Sequence, residues 1–451
     1  MEVLTLARLQ FALTIGFHYL FPPLSIGLGL ILVLMEGTYL ATRRPLYHAM
    51  TRFWVSIFGL VFAIGVASGI VMEFQFGTNW SNYSRYVGDV FGSALAAEGL
   101  FAFFLESGFL ALLLFGWDRV SPRLHFFATL MVFLGSVFSA VWIIVANSWQ
   151  QTPAGHRIVE TVAGRRAEIT SFLDVTLNPS TLDRLSHTLS AALLTGALLV
   201  MSVSAYYLLK DRHTEFAGGS LKIALIVALA AAPLQFLTGH ENAMVVAQTQ
   251  PAKLAAFEGH FPASAPAPMR LFGWVNEREE RVVFSVELPG MLSWLIWGDA
   301  GKPVIGLSAF APEDRPPVNI VFQTYHAMVA IGVALLALSL IAAFHWWRGI
   351  LFRTRWLLWT LVFAVILPQA GNQLGWASAE IGRQPWIVYG LLRTRDGLSP
   401  VVGAGEVLAS LILFSIIYLM LLALFLYLLD HKIKQGPIEE ESEFGGKEAR
   451  A

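Results

Sequence analysis

Long apolar stretches alternate with short polar segments along almost the whole chain. Nine of them have about the 20 residues that an α-helix needs to cross the hydrocarbon core of a membrane. The pattern therefore predicts an all-α, polytopic membrane protein with about nine transmembrane helices in bundles. The nine stretches are roughly Leu13–Leu40, Phe53–Phe76, Phe91–Trp117, Phe126–Ala146, Leu185–Leu209, Ile223–Leu237, Ile320–His345, Leu357–Gly375 and Val402–Leu429, and Pro233 interrupts the end of the sixth.

The composition excludes the other broad classes of protein. Of 451 residues, 56% are hydrophobic and 14% are charged, whereas a soluble domain has about 25% charged residues. The 33 Phe and 14 Trp residues argue against a disordered chain. The sequence has no cysteine, which excludes disulfides and thiolate metal sites. A net charge of −1 gives no reason to expect a nucleic-acid partner.

The short loops predict the orientation in the membrane. The positive-inside rule places short basic loops in the cytoplasm, so the N-terminus is expected outside and the C-terminus inside a bacterial or archaeal cytoplasmic membrane. The expected divisions are 1–239 for helices one to six, 240–318 for a long extracytoplasmic loop, 319–430 for helices seven to nine, and 431–451 for a disordered cytoplasmic tail. The basic residues that set this orientation are Arg43, Arg44, Arg52, Arg119, Arg123, Lys210, Arg212, Lys222, Arg348, Arg353 and Arg355.

Five residues of metal-ligand type share one depth near the predicted outer face. They are His18, Glu98, His187, Met328 and Glu380, and they belong to five different spans. Imidazole, thioether and carboxylate without thiolates suit haem iron better than zinc or an iron–sulfur cluster. Taken singly, each residue could instead have a purely structural role, because an intramembrane His often only hydrogen-bonds a neighbouring helix and a Met is usually a core residue.

Two carboxylates on the third span form a possible proton relay. Glu98 and Glu106 are eight residues apart, which is about 12 Å along a regular helix and about 80° around it. Their alternative role is a polar lining at a helix contact. Glu36 and Glu73 lie closer to span ends and are interpreted as interfacial. Seven histidines at loops or span ends are interpreted as solvated: His48, His125, His156, His213, His240, His260 and His431.

Several motifs give the chain a marked resemblance to subunit I of the cytochrome bd-type quinol oxidases, over nearly its whole length. The chief motifs are RLQFAL at 8–13, FHYLF at 17–21, MEFQFGTNW at 72–80, GWDR at 116–119, VANSW at 145–149, KLAAFE at 253–258, PVIGL at 303–307 and GRQPW at 382–386. The resemblance implies a terminal oxidase that oxidises ubiquinol or menaquinol and reduces O2 to water. It also implies two b-type haems, one haem d, and a proton gradient formed without a pump.

The resemblance also assigns roles to individual residues. His187 and Met328 match the axial ligands of a low-spin haem b. His18 matches the ligand of one high-spin haem, with Glu98 against the same site, and Glu380 matches the ligand of the other. Which of these two positions holds haem d stays open.

Further matches concern protons, quinol and the surroundings of the haems. Glu106 matches part of a proton path, with Ser139 as a weaker candidate. Lys253 and Glu258 match residues tied to quinol oxidation and are expected to lie on one helical turn. Arg383 and Trp376 match groups beside the haems.

The chain departs from the family pattern at two places. His326 stands where the family often has an Arg two residues before the axial Met, and it is also a possible rival ligand. The loop after PVIGL is brief, which is typical of the short quinol-loop type. The resemblance implies a second large membrane subunit and leaves room for small single-helix subunits, besides quinol, O2 and the lipid bilayer as partners.

Two other functions compete with the oxidase. A proton-coupled transporter would use the His and Glu residues as a proton path, but the chain shows no internal repeat of the kind many transporters have. A haem b electron carrier that handles quinol without reducing O2 would share the low-spin site. Haem content and reaction with carbon monoxide distinguish the three.

Overall fold

The computed structural model describes residues 2–162 and 164–437 of the chain. These residues form long helices with three small hairpins between them. The helices are α1 Val3–His18, α2 Pro22–Thr42, α3 Pro45–Thr78, α4 Ser81–Glu98, α5 Phe104–Phe115, α6 Pro122–Gln151, α7 Phe172–Thr176, α8 Thr181–Leu209, α9 Thr214–Thr249, α10 Pro251–Phe257, α11 Met291–Trp297, α12 Val318–Trp347, α13 Arg355–Ala364, α14 Ile366–Ile381 and α15 Ala404–Gln435.

Nine helical stretches in this described part are long and apolar enough to cross a membrane, which confirms the predicted all-α architecture. Each of these helical stretches is longer than the apolar stretch from which it was predicted. The sixth, for example, is a single helix from Thr214 to Thr249 with Pro233 inside it. Apolarity marks only the part of a helix that lipid surrounds, so it underestimates helices that extend beyond the hydrocarbon.

The first span is broken at the residue expected to bind haem. Helix α1 ends at His18, and α2 begins at Pro22 with two consecutive prolines in its first turn. Proline suits the first turn of a helix and cannot donate a backbone hydrogen bond to a preceding turn. The Phe21-Pro22-Pro23 sequence therefore separates the two helices and leaves His18 at the end of α1.

Helix α8 lies at the centre of the bundle and α15 at its periphery. In their most apolar segments, 89% of α8 but only 11% of α15 is buried. Helix α8 packs against α2, α6, α9 and α13. Two glycines allow its close approach to α2, because a Cβ atom on Gly27 would lie 2.7 Å from the Cα atom of Gly196. Small residues at such crossings are a common feature of membrane helix packing.

The long loops pack together at one end of the bundle. They carry three antiparallel hairpins, formed by β1 His156–Thr161 with β2 Gly164–Ile169, β3 Met269–Asn276 with β4 Arg281–Leu288, and β5 Trp386–Val388 with β6 Leu392–Arg393. The loop between α9 and α12 packs against the adjoining ends of these two helices in a distinct apolar cluster, whose loop residues include Leu254, Phe257, Phe261, Leu292 and Leu307.

The described helices shift two of the predicted divisions. The boundary expected at 239/240 falls inside α9, and α10 follows almost directly, so the loop contains a helix before its hairpin. The last helix continues to Gln435. Most of the tail predicted to be disordered, residues 438–451, lies outside the described residues.

Candidate active site

Two histidines on different helices have the same surroundings. His18 Nδ1 lies 3.0 Å from Ser68 Oγ on α3, and His187 Nδ1 lies 3.0 Å from Thr238 Oγ1 on α9. Each hydroxyl donates its own proton to a backbone carbonyl of its helix. It must therefore accept a hydrogen bond from the histidine, which places the ring proton on Nδ1 and leaves a lone pair on Nε2.

A glycine lies against the edge of each of these rings. A Cβ atom on Gly69 would be 3.2 Å from His18 Cε1, and one on Gly239 would be 3.3 Å from His187 Cε1. Fixing one ring nitrogen by a second group is how proteins orient a metal-binding imidazole. Both histidines thus present Nε2 in the form that a haem iron binds.

Met328 on α12 also faces a glycine. A Cβ atom on Gly375 of α14 would lie 2.7 Å from Met328 Sδ, so the thioether occupies space that only glycine leaves open. Helices α8 and α12, which carry His187 and Met328, both pack against α9 and α14.

His326 is engaged elsewhere. Its Nδ1 faces the carbonyl oxygen of Phe322 at 2.9 Å, and its Nε2 faces that of Arg270 at 2.8 Å. Both ring nitrogens face carbonyl oxygens, so neither nitrogen is directed at a metal in this arrangement. This geometry speaks against the possibility that His326 competes with Met328.

Glu380 lies at the end of α14 in a buried polar cluster. Its Oε2 is 2.6 Å from Arg383 Nη2, and its Oε1 accepts hydrogen bonds from Asn147 and Gln151 at 3.1 and 3.2 Å. Arg184 donates to Asn147 from the other side. Trp376 is one helical turn before Glu380 on the same helix.

Lys253 joins this cluster from α10. Its Nζ donates to Gln151 Oε1 at 2.7 Å and to Gln250 Oε1 at 3.0 Å, and the residue is almost fully buried. Burial lowers the pKa of Lys253 well below its usual range, and the nearby guanidiniums of Arg184 and Arg383 add to this effect. Three basic side chains therefore surround one carboxylate.

Two nitrogen atoms of the cluster lack a hydrogen-bond partner among the described residues. They are Arg184 Nε and Arg383 Nη1, and both are buried. Buried cations normally meet an anion, because an unpaired buried charge is costly. Haem carries two propionate carboxylates, which the unpaired N–H groups of Arg184 and Arg383 could bind. The cluster therefore fits the edge of a haem, in addition to offering Glu380 as an iron ligand.

The two carboxylates of the third span both face α6. Ser139 donates to Glu98 at 2.6 Å, and Ser136 donates to Glu106 at 2.5 Å. A π-helical turn, Gly99–Phe103, separates the two glutamates. This turn is wider than an α-helical one, and such turns are frequent at functional sites. The regular spacing of about 12 Å and 80° expected between the glutamates therefore does not apply as it stands.

Glu258 caps the end of α10, away from the Glu380 cluster. It is 4% exposed, and its Oε2 is buried without a partner among the described residues. Burial raises the pKa of Glu258 to about 7, against the opposing effect of Arg270. Lys253 and Glu258 are expected to lie on one helical turn, but their side chains end in different polar clusters.

The structure corrects the interpretation of Glu36 and His125 as an interfacial and a solvated residue. Each is 2% exposed. His125 Nδ1 lies 2.7 Å from Glu36 Oε1, Thr129 donates to Glu36 Oε2 at 2.5 Å, and the Trp117 ring lies 4.0 Å from the imidazole centre to centre. His260 is likewise 2% exposed, with Nε2 facing the Val304 carbonyl.

Comparison with known proteins identifies the family. The family profile described as Cytochrome bd terminal oxidase subunit I matches residues 6–437. The chain belongs to this family. It is a subunit of a terminal oxidase and an integral membrane protein, and the family implies haem cofactors and a second subunit.

Relatives match along almost their entire length. The chain is 39% identical to the "Cytochrome bd ubiquinol oxidase subunit 1" of Bacillus subtilis (strain 168), over 97% of this chain and 94% of the relative. It is 36% identical to the "Cytochrome bd-II ubiquinol oxidase subunit 1" of Escherichia coli (strain K12), over 98% of each. The solved bd oxidase from Geobacillus thermodenitrificans superposes with a TM-score of 0.89 at 28% identity, covering 97% of this chain and 99% of that one.

Proposed function

We propose that this chain oxidises membrane quinol at its long loop and reduces O2 to water at haems held near the same end of the bundle. The observation that carries the proposal is the matched pair of histidines whose Nε2 atoms are prepared for metal binding. The overall reaction takes four electrons from two quinols, yielding two quinones and two waters from one O2. Relatives named ubiquinol and menaquinol oxidases support a quinol as the electron donor.

Haem, when bound, supplies one-electron transfer and the reduction of O2. His187 and Met328 would hold a low-spin haem b, whose reduction potential a His–Met ligand pair would raise. His18 and Glu380 would each hold one of two high-spin haems, one of type b and one of type d, with Glu98 beside the His18 site. The edges of the haems and their propionates would contact four side chains, those of Arg184, Lys253, Arg383 and Trp376.

The carboxylates manage the protons of the reaction. Glu258 is placed to accept a proton from quinol, because it is buried and its Oε2 has no donor among the described residues. Glu106 and Glu98 hold protons at successive positions along the third span, each beside a serine hydroxyl that can orient it. Waters or other polar groups must join the two, because each has its own partner on α6.

We also propose the orientation and partners. With the N-terminus outside, quinol protons leave on the outer side and the protons that form water come from the cytoplasm through Glu106. Charge is then separated across the membrane without a pump. Exposed apolar side chains around the π-helical turn and along α15 provide surface for a second large subunit or small single-helix subunits, and examples are Phe101, Phe104, Leu413, Leu419 and Met420.

A reduced-minus-oxidised spectrum of the purified complex, repeated with carbon monoxide, tests this function. We expect one low-spin haem b together with carbon monoxide-reactive high-spin haem. A colourless protein would favour the transporter, and exclusively six-coordinate haem that does not bind carbon monoxide would favour a haem b electron carrier. The Met328→Leu variant should lose the low-spin band, whereas Met201→Leu, which changes an equally apolar core position of α8, should keep it.

A further inference from the structure

Arg270, in strand β3, holds the turn that carries Glu258. Its Nη1 donates to the carbonyl oxygens of Glu258 and Gly259 at 3.1 and 3.3 Å. Its Nε lies 2.9 Å from Glu287 Oε1 on the neighbouring strand, and its side chain is only 14% exposed.

The same strand is attached to the helix that carries Met328. The carbonyl of Arg270 faces His326 Nε2 at 2.8 Å, and the carbonyl of Gly273 accepts a hydrogen bond from Gln323 Nε2 at 2.8 Å. Strand β3 thus connects the end of α10 with the outer turns of α12. Neither Arg270 nor this connection is required by the contacts proposed for the haems.

One buried polar atom near Arg270 lacks a hydrogen-bond partner among the described residues, which indicates that a ligand binds there. Glu258 Oε2 is buried and unpaired among the described residues, although the backbone and guanidinium groups around it are engaged. A buried carboxylate oxygen left without a donor is energetically costly. The hydroxyl group of a quinol is a donor that would satisfy this atom.

We propose that Arg270 is the positioning residue of the quinol site, which fixes the Glu258 carboxylate and supplies the positive charge that keeps it able to accept a proton. The inference rests on the function proposed above for Glu258. It assigns this role to a side chain in the hairpin, twelve positions further along the chain from Glu258 and on a different element.

The charges around Glu258 set the direction of the expected pH effect. Burial raises the pKa of Glu258 to about 7, and Arg270 acts in the opposite direction. Because only the ionised carboxylate accepts a proton, kcat/KM should fall as the pH drops below this pKa. The other ionisable groups nearby are Glu287, which pairs with Arg270, His260, Tyr325, His326 and, on α10 itself, Lys253, which is directed at Gln151 and Gln250.

Two variants of the purified complex should move this pH dependence in opposite directions. In Arg270→Gln the loss of positive charge should raise the pKa of Glu258, so the fall in kcat/KM with a short-chain quinol should begin about 1 pH unit higher. Well below pH 7, where the carboxylate is mostly protonated in both proteins, the variant should be about tenfold slower than the wild type. Glu287→Gln leaves Arg270 less neutralised and should move the fall to lower pH, by a smaller amount.

Further variants separate positioning from folding. Arg270→Lys keeps the charge and should restore most of the wild-type pH profile. Arg281→Gln, which removes an exposed arginine from the adjacent strand, should change nothing. Haem content and the O2 reaction of the pre-reduced complex should be normal in all four. If Arg270→Gln does not assemble, Arg270→Lys and Glu287→Gln still give the test.

An unchanged pH profile in Arg270→Gln, or shifts of the same sign in Arg270→Gln and Glu287→Gln, would overturn the inference. Glu258→Gln shows which claim has failed. If it abolishes quinol oxidation while Arg270→Gln has no effect, the quinol site stands and Arg270 is only structural. If Glu258→Gln oxidises quinol normally, the proposed quinol site itself is wrong, and the role of Arg270 falls with it.

Discussion

At the scale of single residues, the two candidate haem histidines depend on hydroxyl groups from other helices. Ser68 and Thr238 each accept from Nδ1 and donate to their own backbone. A hydroxyl that can do both determines which ring nitrogen is free, and it holds the ring at a fixed angle. Groups of this kind typically contribute about 10–100-fold to metal affinity.

Ser68→Ala should therefore weaken haem binding at His18 without unfolding the chain. The alanine leaves Nδ1 without a partner, so the ring can rotate or exchange its proton between the two nitrogens. We expect the haem-to-protein ratio of the purified complex to fall, and the high-spin haem to be lost more readily on dilution. Ser56→Ala, which removes a hydroxyl that bonds only its own helix, is the matched control. Equal haem retention in both variants would contradict the role of Ser68.

The sequence reveals the proposed ligands of this site more readily than the side chains that orient them. His18, His187 and Glu380 are exceptions in apolar surroundings, and for that reason they can be found without a structure. Ser68 and Thr238 cannot, because hydroxyl groups are common in membrane helices and their partners are 50 and 51 residues away in the chain. The contacts of Arg184 and Asn147 with the Glu380 cluster likewise cannot be found from the sequence, because they form only where α6, α8 and α14 meet.

At the scale of elements, the π-helical turn between Glu98 and Glu106 shapes the proposed proton path. The wider turn of Gly99–Phe103 changes the direction of the helix face between them, and both carboxylates end on serines three residues apart on α6. Residues at that spacing lie on one face of a helix. The third span and α6 therefore form one polar interface, which the sequence could not indicate because the π-turn has no local signature.

Glu106→Gln should slow proton delivery and leave the haems intact. Glutamine keeps the hydrogen bond to Ser136 but cannot release and regain a proton. We expect proton uptake during the O2 reaction of the pre-reduced complex to slow by about 100-fold, the low end of what a positioned proton-transfer group contributes. Flow-flash mixing with a pH dye measures it, and Glu160→Gln, on an exposed hairpin position, is the control. If Glu106→Gln takes up protons at the wild-type rate, Glu106 is not part of the proton path and serves only as a polar contact between helices.

The buried pair of Glu36 and His125 joins α2, α5 and α6. His125 bonds Glu36 through Nδ1 and the Leu113 carbonyl through Nε2, so one imidazole connects three helices. The apolar stretches used to find the spans placed both residues near span ends, where solvent was expected. The helices extend further than those stretches, and their ends pack on one another, which buries the pair.

His125→Phe should destabilise the complex by about 3–5 kcal/mol, because it leaves the Glu36 carboxylate buried without its partner. The thermal midpoint at which the haem absorption is lost reports this change. The double variant Glu36→Met/His125→Phe should recover most of the loss, since replacing both members of a buried pair by apolar groups is often nearly neutral. If the single and double variants are equally unstable, the pair is not coupled, and packing alone explains the loss.

At the scale of the whole molecule, the apolar pattern predicts the number and order of the spans but not how the long loops fold. The nine spans follow from the exclusion of polar residues from lipid, a constraint that acts on every residue. The hairpins and α10 follow from contacts among loop segments, which leave no periodic pattern. The loop between α9 and α12 nevertheless packs with the adjoining ends of those two helices in an apolar cluster that is distinct from the main cluster of the bundle.

This separation predicts that quinol oxidation can be lost without loss of the O2 chemistry. Glu258 belongs to the loop, whereas His18, His187 and Met328 belong to bundle helices. Glu258→Gln removes the proposed proton acceptor but keeps its size and position. Quinol turnover should fall by about 100-fold, whereas the haem spectra and the O2 reaction of the dithionite-reduced complex should match the wild type. Glu279→Gln, an exposed change in the β3–β4 hairpin of the same loop, should leave both activities intact. Haem loss in Glu258→Gln would show that this side chain supports the bundle, and the loop would then not be an independent site of electron entry.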